Sequence, residues 1–378
     1  MIAETGKKGL KRSAKQKVSA EPIRKLKVWV LIPHLETSDP NLEYYYDFSQ
    51  SLEEYKRAFS FLGVDWVWQP VTINNFAEII QGIRKRSGRK VPVVLNLCDG
   101  DEINGTPGVS VIGELEKNRL IYTGASDYFY RVTTSKIPMK EAFDNAGVPS
   151  PPWKMIRSAG DLHTGLCQQL GAPVIIKPAV SGGSMGVSVK NVVYTDAELE
   201  DRVREIEAGY RGWNLLADGL IAESFVRGRE FTTFVIGSGD SVRCYPAVER
   251  IFHESLPDEE KFLSFDRLWE IYEEEKPMPG NANFYEYQSV NRELDNKLSE
   301  VSVAAYRAVG GVGYGRLDIR MDSNNGKLFV LEVNAQCGLS EDENYTSIGA
   351  ILRFAGVSFA EVVKLIIDDA FARRGLAY

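Results

Sequence analysis

A chain of 378 residues exceeds what one hydrophobic core usually supports, so two or three domains sharing a cleft are expected rather than one small module. With 44% apolar and 26% charged residues it is neither disordered nor collagen-like, and its longest apolar stretches, such as Val28 to Pro33, fall far short of the roughly 18 residues that cross a bilayer. The net charge of −7 hides an asymmetry: residues 1 to 27 hold nine Lys/Arg against two Glu, leaving −14 for an acidic body that argues against general nucleic-acid binding.

The basic tail, residues 1–25, reads as a solvated disordered extension, with organelle targeting or surface docking as the other reading. From Leu26 the run Lys-Val-Trp-Val-Leu-Ile-Pro is a buried-strand signal, followed by a polar loop and a helical pattern through Phe48, Leu52, Tyr55 and Phe59. A second strand, Val91 to Leu97, ends in Cys98-Asp99-Gly100-Asp101-Glu102, and a third runs from Arg119 to Tyr122. Strands alternating with helices imply a parallel, Rossmann-like α/β domain over 26–127, whose ligands lie beyond the strand carboxyl ends. Asp99, Asp101 and Glu102 sit at such an end, although an acid-rich turn is an equal reading.

The helical stretch Thr134 to Ala146 is stopped by Gly147 and then Pro149, Pro151 and Pro152. Strands at Val174–Lys177, Gly186–Lys190 and Gly219–Phe225 with a helix at Asp196–Glu207 predict a smaller α+β unit, 128–226. A last α+β unit, 227–378, takes strands around Thr232, Arg316 and Leu328 and helices Glu293–Val309 and Phe359–Ala372. Cys98, Cys167, Cys244 and Cys337 lack metal-site spacing and read as reduced thiols in a cytoplasmic protein. His34, His163 and His253 read as structural.

The turn Ser181-Gly182-Gly183-Ser184-Met185-Gly186 precedes no predicted helix, which excludes a Walker A loop or dinucleotide fingerprint. A tight turn is the plain reading; a flap closing main-chain N–H groups over phosphates is the other. Lys177, in an apolar run where an unpaired cation is costly, favours the flap and a triphosphate. In Gly315–Arg320, period two puts Arg316, Asp318 and Arg320 on one strand face; Glu332 and Asn334 likewise share a face. Together Asp318, Glu332 and Asn334 form either an inter-strand polar ladder or an oxygen site for Mg²⁺, with Arg316 beside it to hold an oxyanion. Glu223 and Glu230 flank a glycine break that reads as a surface turn or as a hinge able to take a purine and its ribose.

In order and spacing these residues resemble the ATP-grasp superfamily, and within it the D-alanine–D-alanine ligase branch, from about residue 90 to 375. The resemblance implies an ATP-grasp fold, with the N-terminal domain followed by two α+β subdomains clasping ATP. It implies that Lys136 and Lys177 reach the phosphates, that Gly183 and Ser184 belong to the flap, and that Glu223 and main-chain Val226 take adenine and Glu230 the ribose. Asp318, Glu332 and Asn334 would hold two Mg²⁺ ions, with Mn²⁺ an acceptable substitute. Arg316 and the Gly338 N–H would stabilise the acyl phosphate and tetrahedral intermediate. The implied reaction ligates a small-molecule carboxylate to an amine, releasing ADP and phosphate, in a homodimer that engages neither nucleic acid nor membrane.

This sequence departs from the branch on the substrate side. Val290 and Asn291 stand where the family carries a Lys-Tyr pair, Ser181 replaces the flap glutamate, and Glu36 is the nearest match to an early substrate-orienting acid. Thr346 or Ser347 is left to bind a carboxylate. Glu341, Asp342 and Glu343, with Asp99 and Asp101, would form an acidic edge favouring a cationic acceptor, and the insertion Phe252–Asn283 would be a lid. The expectation is a substrate pair other than two D-alanines, with a D-alanine–D-alanine ligase as one alternative and an ATP-grasp phosphotransferase as another.

Overall fold

A computed structural model describes residues 25–36, 48–209, 211–342 and 346–377. The expected basic tail lies outside these residues, apart from Lys25. Four parallel strands open the fold, β1 (Leu26–Pro33), β2 (Asp65–Val71), β3 (Val91–Asn96) and β4 (Ile121–Tyr122), in the order β2-β1-β3-β4. β1 is buried along almost its whole length because both sheet faces are covered, as a parallel sheet requires. Its alternate residues divide between two cores. Val28, Val30 and Ile32 pack with Tyr55 and Phe59 of helix Ser49–Leu62, while Trp29 and Leu31 pack with Ile80 and Ile83 of helix Phe76–Arg86. The last helix, Phe359–Ala372, also lies on the first of these faces through Val363, Ile366 and Ile367. The end of the chain thus closes the sheet that begins it.

A second, antiparallel sheet follows: β5 (Trp153–Ile156), β6 (Val174–Pro178), β7 (Val192–Val193) and β8 (Leu220–Ser224), ordered β5-β8-β6-β7. Helix Asp196–Glu207 covers it and starts with a reciprocal cap in which Thr195 and Glu198 satisfy each other's main-chain N–H groups. The strand expected at Gly186–Lys190 is absent there. That segment is a turn ending in a 3₁₀ element, Val189–Asn191, with only β7 as strand, because the Asn191 amide reaches back to the Ile176 and Gly186 carbonyls and folds the chain on itself.

The third sheet comprises β9 (Gly228–Ile236), β10 (Arg243–Cys244), β11 (Val248–Phe252), β12 (Tyr285–Ser289), β13 (Tyr314–Asp322) and β14 (Leu328–Ala335), ordered β12-β11-β9-β13-β14 with β10 on β9. Helix Arg292–Ala308 packs against it together with helices Asp127–Thr134 and Lys136–Ala146, through Tyr306, Phe129 and Met139. Only Phe225, Val226 and Arg227 separate β8 from β9, so one short crossover joins the second and third sheets. Among the described residues no helix is long and apolar enough to cross a membrane.

Candidate functional site

The floor of the site is the β13/β14 pair. Arg316 lies opposite Asn334, and Asp318 opposite Glu332, so one sheet face carries all four side chains. Thr232 of β9 donates to Asp318 Oδ1 at 2.9 Å. Oδ2 accepts from Arg316 Nη2 at 3.0 Å and from Asn334 Nδ2 at 3.2 Å, and Nδ2 also donates to Glu332 Oε1 at 3.1 Å. Arg316 Nε, by contrast, is buried and has no hydrogen-bond partner among the described residues. Burial works against the Arg316 charge, but Asp318 together with Cys337 and Glu332 more than offsets it and raises its pKa.

These donors fit Mg²⁺. Two carboxylates and an amide converge on one face, and half a turn of the Asn334 amide presents Oδ1 instead of Nδ2. Among the described residues no three His, Cys, Asp or Glu side chains form a cage on their own. A hard cation that completes its octahedron with water and phosphate oxygens needs no such cage.

The roof comes from the second sheet and from helix Lys136–Ala146. Lys177 of β6 approaches Glu223 Oε1 of β8 at 2.5 Å, and Lys140, fully buried one turn beyond Lys136, approaches Glu223 Oε2 at 2.8 Å. Burial alone would raise the Glu223 carboxyl; the two ammonium groups overcome it and pull it down to about 2. Burial lowers the pKa of both Lys136 and Lys140. Lys136 Nζ donates to Ser181 Oγ at 3.2 Å and lies 3.8 Å from Glu332 Oε2, linking the helix, the flap and the floor. Lys140 was not singled out from sequence; its signal was the i,i+4 spacing from Lys136, which puts both on one helix face.

The glycine turn overhangs this cluster. Gly183 (φ 53°) and Ser184 (φ 63°) both adopt left-handed backbone, which is strained for serine. The 252–283 insertion holds them there: Ser184 Oγ donates to the Leu263 carbonyl and Trp269 Nε1 to the Gly183 carbonyl, each at 2.8 Å. The same insertion reaches the second sheet, where Glu275 accepts from the Val189 N–H at 3.0 Å and Glu274 pairs with Arg202 at 3.4 Å. It therefore bridges the two sheets over the site.

At the crossover, the Val226 carbonyl accepts from Arg320 Nη1 at 2.8 Å. Glu230 is buried between Arg320, whose Nε lies 3.0 Å away, and Arg250 in a very short contact. Glu223 and Glu230 thus carry cations as well as facing the cleft, and a carboxylate has lone pairs left for hydroxyl or amine donors. Ile175, Val187, Phe225 and Phe262 make this end apolar. One cavity of about 420 Å³ is lined by Lys136, Lys177, Gly183, Ser184, Glu223, Val226 and Glu230, and equally by Arg316, Asp318, Glu332, Asn334 and Gly338. The residues just named, up to 202 positions apart in the chain, meet there.

The opposite end of the cavity is bounded by the first sheet, and here several expectations fail. The acidic edge is dispersed. Glu341 pairs with Arg57 at 2.5 Å, Asp342 accepts from Gln50 at 2.8 Å, Asp101 caps its own turn through the Ile103 and Asn104 N–H groups, and Glu343 lies outside the described residues. Glu36 bonds Asn74 and does not line the cavity. Thr346 lines it, but its hydroxyl caps helix Ser347–Ala355 and donates to the Asp342 carbonyl. What remains is Asp99. Its surface is open to the cavity while protein surrounds it, and that enclosure pushes its carboxyl up to about 6.

Residues 142–368 match the family model described as "D-ala D-ala ligase C-terminus". A D-alanine–D-alanine ligase of Xanthomonas axonopodis pv. citri is 25% identical over 321 residues, covering 79% of this chain and 90% of that protein. That of Desulforudis audaxviator is 29% identical, covering 70% and 77%. Among solved structures, the ATP complex of D-alanine–D-alanine ligase from Bacillus anthracis superposes with a TM-score of 0.63 at 17% identity, over 92% of this chain and 98% of that one. The ATP-grasp fold that the resemblance implied is the fold found.

Proposed function

The chain belongs to the D-alanine–D-alanine ligase family and is an ATP-dependent ligase forming C–N bonds; on that footing we propose that it joins two D-alanine molecules through an acyl phosphate. The relatives support D-alanine over the different substrate pair expected from the sequence, since both curated proteins above carry that activity in their names. One observation carries the assignment of the site: lysines, flap, arginine and the carboxylate face all line a single cavity.

Each group then has a task. Lys136 and Lys177 hold the nucleotide's phosphates, and the clamp of Glu223 on Lys140 and Lys177 fixes one of them before ATP arrives, so little reorganisation is needed. The apolar end takes the base, with Val226 and Glu223 at its edge and Glu230 toward the ribose. Asp318, Glu332 and Asn334 would hold Mg²⁺, which offsets charge on the transferring phosphoryl group. The carboxylate of one amino acid attacks the γ-phosphate, giving an acyl phosphate and ADP; the amine of the second displaces phosphate and closes the amide. Arg316 Nε and the Gly338 N–H are the donors for the oxyanion that develops on the carbonyl. The flap, tied to Leu263 and Trp269, keeps water from the acyl phosphate.

A second reading, with another amine as acceptor, is favoured by the end of β12. Asn291 caps helix Arg292–Ala308 by accepting from the Leu294 N–H at 3.0 Å, so the chain enters the helix directly where the family resemblance would place a Lys-Tyr pair. Incubation with ATP, Mg²⁺ and D-alanine, followed by product mass, tests the assignment. D-alanyl-D-alanine formed with one phosphate per ADP is the expected result. A phosphorylated product without free phosphate would instead identify a phosphotransferase, and turnover only with a second amine would favour the other acceptor.

A further inference from the structure

Five carboxylates line the cavity, and four of them, Glu223, Glu230, Asp318 and Glu332, each face a lysine or arginine. Asp99 is the fifth, and among the described residues no cation pairs with it; its carboxylate bonds only its own main-chain N–H. It stands just past the carboxyl end of β3 and lines both the main cavity and a second pocket of about 90 Å³ bordered by the flap. Ser181, Gly182 and Asn334 border the same junction. Asp99 therefore looks across at the phosphate-closing flap from beside the carboxylate face.

The ionisable groups that sense its charge, Cys98, Tyr130, Tyr314 and Cys337, are all neutral thiols and phenols pushed up chiefly by burial, so none of them compensates it. A carboxylate exposed on the cavity wall, with no cation beside it among the described residues, has its lone pairs open to an ammonium group. An amino-acid substrate brings that group, and no other free carboxylate in the cavity is available to take it.

We propose that Asp99 determines substrate specificity by receiving the ammonium group of the amino acid that is activated on ATP. This rests on the amino-acid ligase reading above. With its ammonium held at Asp99, the substrate's carboxylate turns toward the phosphates beneath the flap, and an acid lacking the ammonium loses its anchor.

The test compares D-alanine with D-lactate, the same acid with a hydroxyl in place of the ammonium, by calorimetric titration into the full chain saturated with ADP and Mg²⁺. The wild type is expected to bind D-alanine at least about 30-fold more tightly, the scale of a confined charge pair. Asp99→Asn, which keeps the shape and loses the charge, should bind the two alike, and Asp99→Glu should recover most of the preference. Heat from ADP binding reports that each variant is folded. Full preference in Asp99→Asn, no preference in the wild type, or an equal loss of affinity for both ligands would each overturn the proposal. Phosphate release from ATP and D-alanine in the wild type is scored separately. Its absence would defeat the ligase reading, whereas the binding preference alone decides the role of Asp99.

Discussion

At the end of the cavity proposed to take the nucleotide the Glu223 carboxylate is clamped between Lys140 and Lys177, and Glu230 between Arg250 and Arg320, whereas at the other end Asp99 has no counter-cation among the described residues. The matched end is assembled before any ligand binds. Its charges hold one another in place, so a phosphate meets donors that need not rearrange. The unmatched end is left for the substrate to complete. That division suits an enzyme whose cofactor chemistry is fixed but whose partner must be selected.

The largest effect that would break this comparison lies on the floor. Asp318→Ala removes a carboxylate that meets Thr232, Arg316 and Asn334, and turnover at saturating ATP should fall by about 10³-fold or more, measured as ADP release. Near-normal turnover would remove the metal and phosphate assignment. Next, Lys140→Met leaves Glu223 in the interior with a single cation. The expected loss is about 1.5–3 kcal/mol in urea unfolding, and an unchanged midpoint would show that Lys177 alone neutralises Glu223.

A smaller effect is expected at the lid. Trp269→Phe deletes the indole N–H that holds the Gly183 carbonyl, and the loosened flap should admit water to the acyl phosphate. The ratio of phosphate released to dipeptide formed should rise by roughly 5-fold; a ratio of one would place flap control elsewhere.

The two ends should also respond to pH with opposite sign. Glu223, pulled down to about 2, contributes stability that is present above the ordinary carboxylate range near pH 4.3 and is lost as pH falls toward 2. Asp99, pushed up to about 6, contributes stability present below its ordinary value near 3.9 and lost as pH rises through 6. Asp99→Asn should therefore unfold at slightly higher urea than the wild type at pH 7.5, with the gap shrinking as pH falls from 6 to 4. A gap that is constant across that range would mean the carboxylate's charge is not its cause.

The floor was legible in part because strand geometry writes itself into sequence with period two: spacing put Arg316 with Asp318 on one strand face and Glu332 with Asn334 on another, and the pairing of β13 with β14 joined the two faces. Lys177 stood out as a charge in an apolar run, and the flap as a cluster of glycines. Spacing did not reveal that Lys140 shares Glu223 with Lys177, or that Trp269 and Leu263 hold the flap, since those contacts join segments 46 to 86 residues apart. The strand expected at Gly186–Lys190 failed because a single side chain, Asn191, captured the carbonyls it needed.

The acidic edge shows most plainly where the boundary lies. Residue types and periodicity determined which side chains carry charge and which strands and helices bear most of them; that the chain handles a nucleotide was implied by the resemblance of the ordered set to a family. Which carboxylates find partners was decided only when Arg57 met Glu341, Gln50 met Asp342 and Asp99 met neither lysine nor arginine among the described residues. Pairing depends on distances of a few ångströms between segments far apart in the chain, and those distances come from the packing of the three sheets.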